Sequence, residues 1–279
     1  KEAPIQAISN GEALVKTLYL SFDPTQRGWA TMDTYMPAIP LGTPMRAFSI
    51  GQVVESKSKK YKVGDIVSGV MTWQEYVTIA DNTDELFPPL VIPGFLDLEL
   101  TLALSLTGLT AYFGLLEIGK PQPGETVLVS GAAGATGSIV AQIAKLKGAR
   151  VVGIAGGADK CKWLKDVAKV DEAIDYKSED VMTRIQETCP NGVNVFYDNV
   201  GGETLDAALL NLAHNARVVL CGAISQYNKL SADFDLQNQE IYGVKSTTML
   251  IITSSRMQGF ILSDYQHKFM EGLLVLDKW

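Results

Sequence analysis

Histidine and cysteine are scarce in this chain, and their scarcity removes several chemistries at once. There are two histidines, His214 and His267, and three cysteines, Cys161, Cys189 and Cys221, among 279 residues. No cysteine precedes Cys161, so the N-terminal part lacks the thiolates of a Cys/His zinc site. Both histidines fall in segments read as helix, without a ligand or base partner at recognisable spacing. A Ser-His-Asp hydrolase is excluded in the same way, because no Gly-x-Ser-x-Gly elbow accompanies the strands. An odd, scattered set of cysteines is no disulfide framework; it fits a reducing compartment, and the cytoplasm is the expected location. Basic excess is missing too. With 24 basic and 31 acidic residues, a net charge of −7 and no basic block, the chain is a poor partner for nucleic acid or an anionic membrane, and a small-molecule ligand is expected. The uncharged run Leu100–Leu116 is interrupted by Thr101, Ser105, Thr107, Thr110 and two glycines. It falls short of the roughly 18 apolar residues of a spanning helix and reads as a buried helix at a domain junction. No secretory or transit signal is present, and a start at Lys1-Glu2-Ala3-Pro4 without methionine suggests that the chain begins inside its own fold.

What the chain does contain is Thr126–Gly137, T-V-L-V-S-G-A-A-G-A-T-G, a buried strand running into a glycine-rich turn. Apolar residues at helical spacing follow in Ser138–Lys147, and then a second apolar strand, Arg150–Ala155. In such a β-turn-α-β unit the helix N-terminus offers unpaired amides and positive dipole to a pyrophosphate. Ala132 stands where the first glycine of G-x-G-x-x-G is usual, and Gly134 and Gly137 are kept, with Ala135 and Thr136 between them. The strand before and the helix after favour a dinucleotide over a tight connection without ligand. NAD-preferring folds place an acid about 20 residues beyond the glycines, on the ribose hydroxyls. Here the second strand ends Ile154-Ala-Gly-Gly157 and passes to Ala158-Asp159-Lys160. Space plus a cation suits a 2′-phosphate, so NADPH/NADP+ is expected, with Lys160 the leading contact. Lys177, beside Tyr176, is an additional candidate. The competing reading places Lys160 and Lys162 on the solvated face of a helix, Asp159–Val167, and for Lys162 that reading is preferred.

At 47% hydrophobic residues the chain is long enough for two domains. Residues 11–79 hold short apolar stretches broken by Pro and Gly: Ala13–Leu20, Ile50–Glu55, Asp65–Ser68 and Glu75–Ile79. From Leu98 helical periods alternate with strands at Val127–Ser130, Val151–Ala155, Ala173–Asp175, Val193–Asp198, Arg217–Cys221 and Gly259–Leu262. This predicts an α/β architecture: a β-rich domain over residues 1–98 and a doubly wound parallel sheet, the Rossmann fold, over residues 99–279. Ligands of such sheets sit beyond the carboxyl ends of the strands. The segments to search are therefore Gly131–Gly137, Gly156–Lys160, Asn199–Gly202 and Gly222–Asn228. With no His or Cys chemistry in reach, a cofactor must carry the hard step. Tyr227 is the best polar catalytic candidate, because a phenol can donate to a carbonyl oxygen as charge develops there. An ordinary loop tyrosine is the alternative, and Asn199 is a possible cofactor contact.

These residues resemble the medium-chain dehydrogenase/reductase superfamily, and within it the zinc-free branch of leukotriene B4 12-hydroxydehydrogenase/prostaglandin reductases, plant alkenal double-bond reductases and curcumin-reductase-like proteins. The resemblance covers essentially the whole chain. It is carried by Tyr19–Gly28 (Y-L-S-F-D-P-T-Q-R-G), Tyr61–Val67 (Y-K-V-G-D-I-V), the Ala132–Gly137 turn, Asp198–Glu203 (D-N-V-G-G-E), Cys221–Asn228 (C-G-A-I-S-Q-Y-N) and Met257–Leu262 (M-Q-G-F-I-L). It implies a GroES-like first domain, a Rossmann second domain, no metal, and hydride transfer from NADPH to the β-carbon of an α,β-unsaturated ketone or aldehyde. By position, Gly134–Gly137 meet the pyrophosphate, and Lys160 and Tyr176 the phosphorylated ribose. Asn199, the loop Cys221, Gly222, Ala223, Ile224, Ser225 and Tyr227, and Phe260, Ile261 and Leu262 border the ribose and nicotinamide. Tyr227 would lie near the substrate carbonyl, and Tyr35 resembles a tyrosine that some relatives direct into the substrate pocket. A homodimer is expected. Two departures stand out. Thr25 and Gln26 replace an aromatic-methionine pair frequent after Asp-Pro, which alters the pocket rim. Relatives also continue beyond the position of Trp279 with strands that complete the first domain, so the resemblance implies a fragment or a missing terminal segment. The nearest rival function is an NADPH quinone reductase; a non-catalytic NADPH sensor and a zinc-free alcohol dehydrogenase are the others.

Overall fold

The computed structural model describes residues 3–83, 86–229 and 241–279. The chain divides into two compact units, Lys1–Leu106 with Leu273–Trp279, and Thr107–Gly272.

The first unit is built on β1 (Glu12–Leu20), a short helix α1 (Thr25–Thr31), β2 (Arg46–Ser56), β3 (Ile66–Thr72), β4 (Tyr76–Ala80) and β5 (Leu90–Val91). All pairings are antiparallel, in the order β4-β1-β2-β3-β5. Ala13, Val15, Val53, Tyr61, Val67, Met71, Val77 and Ile79 form its core. Tyr61 is wholly buried, and its hydroxyl is satisfied by donating to the Pro89 carbonyl at 2.8 Å.

Helix α2 (Leu98–Ala103) begins at Asp97, whose carboxylate accepts from the Leu100 amide at 2.8 Å. A π-turn (Leu104–Gly108), α3 (Leu109–Phe113) and a second π-turn (Gly114–Gly119) continue it. The helical stretch Leu98–Gly119 has 22 residues and a window of mean hydropathy 1.4. By length and composition it passes the test for a membrane span that the shorter run Leu100–Leu116 fails. With 56% of that window buried, it has the character of a core helix. The buried hydroxyls of Thr101 and Ser105 are satisfied within the helix by donating to the Asp97 and Thr101 carbonyls, each at 2.6 Å.

The second unit alternates β6 (Thr126–Val129), α4 (Ala135–Leu146), β7 (Arg150–Ala155), α5 (Ala158–Asp166), β8 (Glu172–Asp175), α6 (Val181–Thr188), β9 (Val193–Asp198), α7 (Gly202–Leu209), β10 (Leu212–Leu220), α8 (Thr248–Ile252) and β11 (Arg256–Gly259). A last helix, α9 (Phe269–Lys278), closes the chain. The strands are parallel, in the order β11-β10-β9-β6-β7-β8. Chain order thus reverses between β6 and β9, the switch point at which a doubly wound sheet opens a crevice. Leu128, Val152, Ile154, Ile174, Phe196 and Val218 pack with Ile185 and Leu205 of the flanking helices, which explains the continuous apolar runs of the strands. Arg217 of β10 ties the sheet to the end of the second π-turn: it donates to Gly119 O at 2.8 Å and grips Glu125 with both terminal nitrogens.

The α/β reading with a second, antiparallel β domain is borne out. Three local expectations are corrected. His214 lies in β10, not in a helix. That strand starts at Leu212, but its pairing with β9 is irregular between Leu212 and Arg217, and Asn215 has φ 60°. The last strand is Arg256–Gly259 instead of Gly259–Leu262, because Phe260 turns toward Gly114 and Tyr197.

Candidate cofactor and active site

The turn after β6 is stitched by backbone bonds: Ala132 N donates to Ile154 O and Gly134 N to Gly131 O, both at 2.9 Å. Gly134 is the extended N-cap of α4, so Ala135, Thr136 and Gly137 form its first turn, where amides have no partner within the helix. A Cβ on Gly137 would lie 2.3 Å from Gly131 O and 2.9 Å from Ala132 Cα, so only glycine lets helix and turn meet this closely. That close approach and the row of amides at the N-terminus of α4 suit a pyrophosphate.

At the end of β7 a Cβ on Gly156 would come 2.7–2.8 Å from the Tyr176 ring, which covers this glycine. Gly157 follows at φ 101°. The nearest acid, Asp175 at the end of β8, is occupied locally. Its carboxylate accepts from the Gly157 amide at 2.7 Å, the Lys177 amide at 3.0 Å and the Ser178 hydroxyl at 3.0 Å. These bonds, the Gly157 amide first, hold its carboxyl below the ordinary value. Lys160 sits exposed in the first turns of α5. Its neighbours Lys162 and Lys165 pair with Asp166 and Glu172, whereas Lys160 makes no ion pair among the described residues.

The switch point carries a polar knot that sequence reasoning missed. The fully buried Ser130 donates to Asp198 Oδ1 at 2.7 Å and accepts from the Asn199 amide at 2.8 Å, while Asn199 Nδ2 donates to Ser130 O at 2.7 Å. The amides of Val200 and Gly201 also reach Asp198 Oδ1, each at 3.0 Å. Burial pushes the Asp198 carboxyl up, against the Gly201 amide and the Ser130 hydroxyl, which favour its ionised form. The available signal was a serine and an aspartate ending two otherwise apolar strands.

The loop after β10 folds against this knot. The amides of Cys221 and Gly222 donate to Asp198 O at 2.9 and 3.1 Å, Ile224 N to Asn199 O at 3.3 Å, and Ser225 N to Val200 O at 3.2 Å. Tyr227 accepts the Ala223 amide on its phenol oxygen at 3.2 Å, 3.0 Å from where a Gly222 side chain would begin. Cys221 keeps some surface as a residue, but burial of its thiol beside Tyr197 pushes it up to about 11. Tyr197 donates to Thr110 O at 2.9 Å. Phe260 closes the same cluster over Gly114, Ile261 is partly exposed and Leu262 is buried. Asn199, the 221–227 loop and Phe260 are thus brought together by the Ser130–Asp198 knot and Tyr197.

Tyr35 lies in the other unit, with its hydroxyl 2.9 Å from Thr25 Oγ1 and its ring edge-on to Trp29. Gln26 is buried and structural: its amide donates to Ser21 O and Arg46 O and accepts from Asp23 N. A groove of about 1210 Å³ in the first unit, lined by β3 and β4, contains none of the predicted site residues.

Residues 135–276 match the zinc-binding dehydrogenase family, and residues 1–87 match the N-terminal domain of oxidoreductase. It belongs to the medium-chain dehydrogenase/reductase family. This medium-chain reductase is 46% identical to YfmJ of Bacillus subtilis over 99% of the chain and 79% of that protein. It is 36% identical to the NADPH-dependent curcumin reductase of Escherichia coli, over 100% of the chain and 79% of the relative. The crystal structure of CurA from Vibrio vulnificus in complex with NADPH matches it with a TM-score of 0.86 at 36% identity, covering 100% of this chain and 81% of that one. Among the described residues no group of three or more His, Cys, Asp or Glu side chains gathers to hold a metal. The chain is an NADP-dependent oxidoreductase of the medium-chain family.

Proposed function

We propose that the protein uses NADPH to reduce the C=C bond of α,β-unsaturated ketones and aldehydes. When bound, NADPH supplies the hydride. The amides of Ala135–Gly137 bind the pyrophosphate, and Lys160 with the Tyr176 ring receives the phosphorylated ribose. Asn199, the Cys221–Tyr227 loop and Phe260–Leu262 border the nicotinamide end. Tyr227 donates a hydrogen bond to the carbonyl oxygen of the substrate, where negative charge grows as the β-carbon accepts hydride and the α-carbon awaits a proton. No side-chain nucleophile is required. The reading is supported by the Tyr227 phenol held against the Ala223 amide in a loop whose Ile224 amide donates to Asn199 O, in a chain resembling a curcumin reductase throughout.

The test is the loss of reduced-nicotinamide absorbance with a 2-alkenal, an enone and a quinone in parallel, each with NADPH and NADH. Enone turnover with preference for NADPH is expected, and Tyr227→Phe should lower kcat more than it weakens NADPH binding, because the bond strengthens only as the oxyanion forms. Turnover of the quinone alone, or an unchanged kcat in Tyr227→Phe, overturns the respective part.

A further inference from the structure

Asp206 is 7% exposed, in the middle of α7, yet its carboxylate serves a distant stretch of chain. Tyr242 Oη donates to Oδ2 at 2.8 Å, and the amides of Lys245 and Ser246 donate to Oδ1 at 3.0 and 2.9 Å. The Lys245 ammonium lies over the Tyr242 ring, 4.6 Å from its centre. A second set of bonds leaves Tyr242 from its backbone. Its amide donates to Gln226 Oε1 at 3.1 Å, Gln226 Nε2 donates to Ser225 Oγ at 3.0 Å, and Ser225 Oγ donates to Val200 O at 2.7 Å. Tyr242 thus donates both ways, from its hydroxyl to Asp206 and from its amide toward Gln226, and from there each group donates to the next. Gly202 permits it: a Cβ there would stand 3.1 Å from Ser225 Oγ and 3.4 Å from Gln226 Nε2. The relay runs from a buried carboxylate to the turn after β9, and it passes through the residue immediately before Tyr227.

We propose that Asp206, Tyr242 and Gln226 are positioning residues that clasp the 221–227 loop onto the turn after β9 and thereby set the Tyr227 phenol in place. None of the three touches the reacting atoms; they act through Ser225 and Tyr227. The inference rests on the reading of Tyr227 given above. A buried anion with three donors from residues 242–246 is a rigid anchor, because removing one partner leaves the others to a charge still withheld from water. Gln226 is specific in this place, since a carboxylate there would lack the donor that Ser225 Oγ receives.

The test compares Tyr242→Phe, Gln226→Glu and the double variant with the wild-type enzyme. Three quantities are read: kcat and KM for an enone with NADPH, NADPH affinity by fluorescence, and hydrogen exchange of the Ala223, Ile224 and Ser225 amides without cofactor. Each single variant should speed exchange of those amides and lower kcat by roughly tenfold, toward the ~10²-fold that a misplacement of about 1 Å can cost. NADPH affinity should fall by clearly less than kcat, because the loop borders only the nicotinamide end of the cofactor. The double variant should be no worse than the poorer single one, because both cut one relay. Unchanged exchange, multiplicative losses in the double variant, or a loss of NADPH affinity equal to the loss in kcat would each overturn the clasp. If the wild-type enzyme reduces no enone, the functional reading fails by itself. Exchange and its coupling between the two sites, read without substrate, then still decide whether the clasp exists.

Discussion

Replacing Gly137 by alanine should separate the glycine turn from the helix it precedes. The new Cβ would stand 2.3 Å from Gly131 O, 2.9 Å from Ala132 Cα and 2.9 Å from Gly131 C, all backbone atoms that no rotamer change can move. Reaching a tolerable 3.2–3.5 Å requires the start of α4 to shift by about 1 Å. Overpacking of this kind costs about 1–3 kcal/mol, which in a unit of this size lowers Tm by roughly 2–12 °C. The same shift would stretch amide bonds of about 2.9 Å to a pyrophosphate beyond useful length, and losing one charge-assisted bond weakens NADPH binding by about tenfold or more. Gly134→Ala is the internal control for stability. Its Cβ would meet only Gly131 O, at 3.2 Å, and its φ of −81° suits any residue. Thermal melting of both variants and NADPH fluorescence titration of Gly137→Ala decide the matter. A Tm loss as large in Gly134→Ala as in Gly137→Ala, or wild-type NADPH affinity in Gly137→Ala, would refute the steric argument; NADPH affinity in Gly134→Ala is no control, because Gly134 itself stands at the pyrophosphate in the proposed reading.

Lys160→Ala should weaken NADPH by about tenfold, at the low end for a charged hydrogen bond because the site is exposed, while NADH kinetics stay unchanged; equal losses for both cofactors would remove Lys160 from the ribose end. The Cys221 thiol, held up to about 11 by burial, ionises later in the folded than in the unfolded chain. Stability should therefore fall as pH rises from about 8.5, the unfolded thiol's value, and level off beyond about 11. Cys221→Ala should lose that component, seen as a smaller alkaline loss in denaturant melts across the same pH range. Gly114→Ala places a Cβ 2.6 Å from Phe260 Cζ and 2.7 Å from Tyr197 Oη. A cost of about 1–3 kcal/mol in urea unfolding is expected, with altered near-UV dichroism from the displaced rings; a neutral result would show that Phe260 moves freely.

The glycine turn and the parallel sheet were legible because they rest on local patterns: continuous apolar strands, a helical period and glycines between them. Val193–Asp198 matches β9 residue for residue. The boundaries went astray where tertiary contacts override the pattern. Leu205, Ala208, Leu209 and Leu212 continue a helical spacing, but the chain leaves α7 after Leu209 and resumes as an irregular strand, carrying His214 with it. Gly259–Leu262 reads as an apolar strand, yet pairing with β10 ends at Gly259, where the Phe260 ring packs at Gly114. The Ser130–Asp198 knot joins residues 68 positions apart, and the clasp on Asp206 joins residues up to 40 apart. No spacing rule connects such pairs. Gln26 looked like a rim residue because only its position in a motif was visible, not the three backbone groups it satisfies.

The end of β7 has a consequence for anyone wishing to retune the redox currency of this reductase. The usual route to NADH is to install an acid at the tip of that strand. A side chain at Gly156 would first have to displace the exposed Tyr176 ring, and Gly157 holds a backbone angle that disfavours every residue with a Cβ. Asp175 already stands nearby, but freeing its charge would release the Gly157 amide and unpin the very loop that must carry the new contact. Losing Lys160 would only weaken NADPH; in the reading proposed above, gaining NADH calls for rebuilding residues 156–178 together, because main-chain shape limits where an acid can stand.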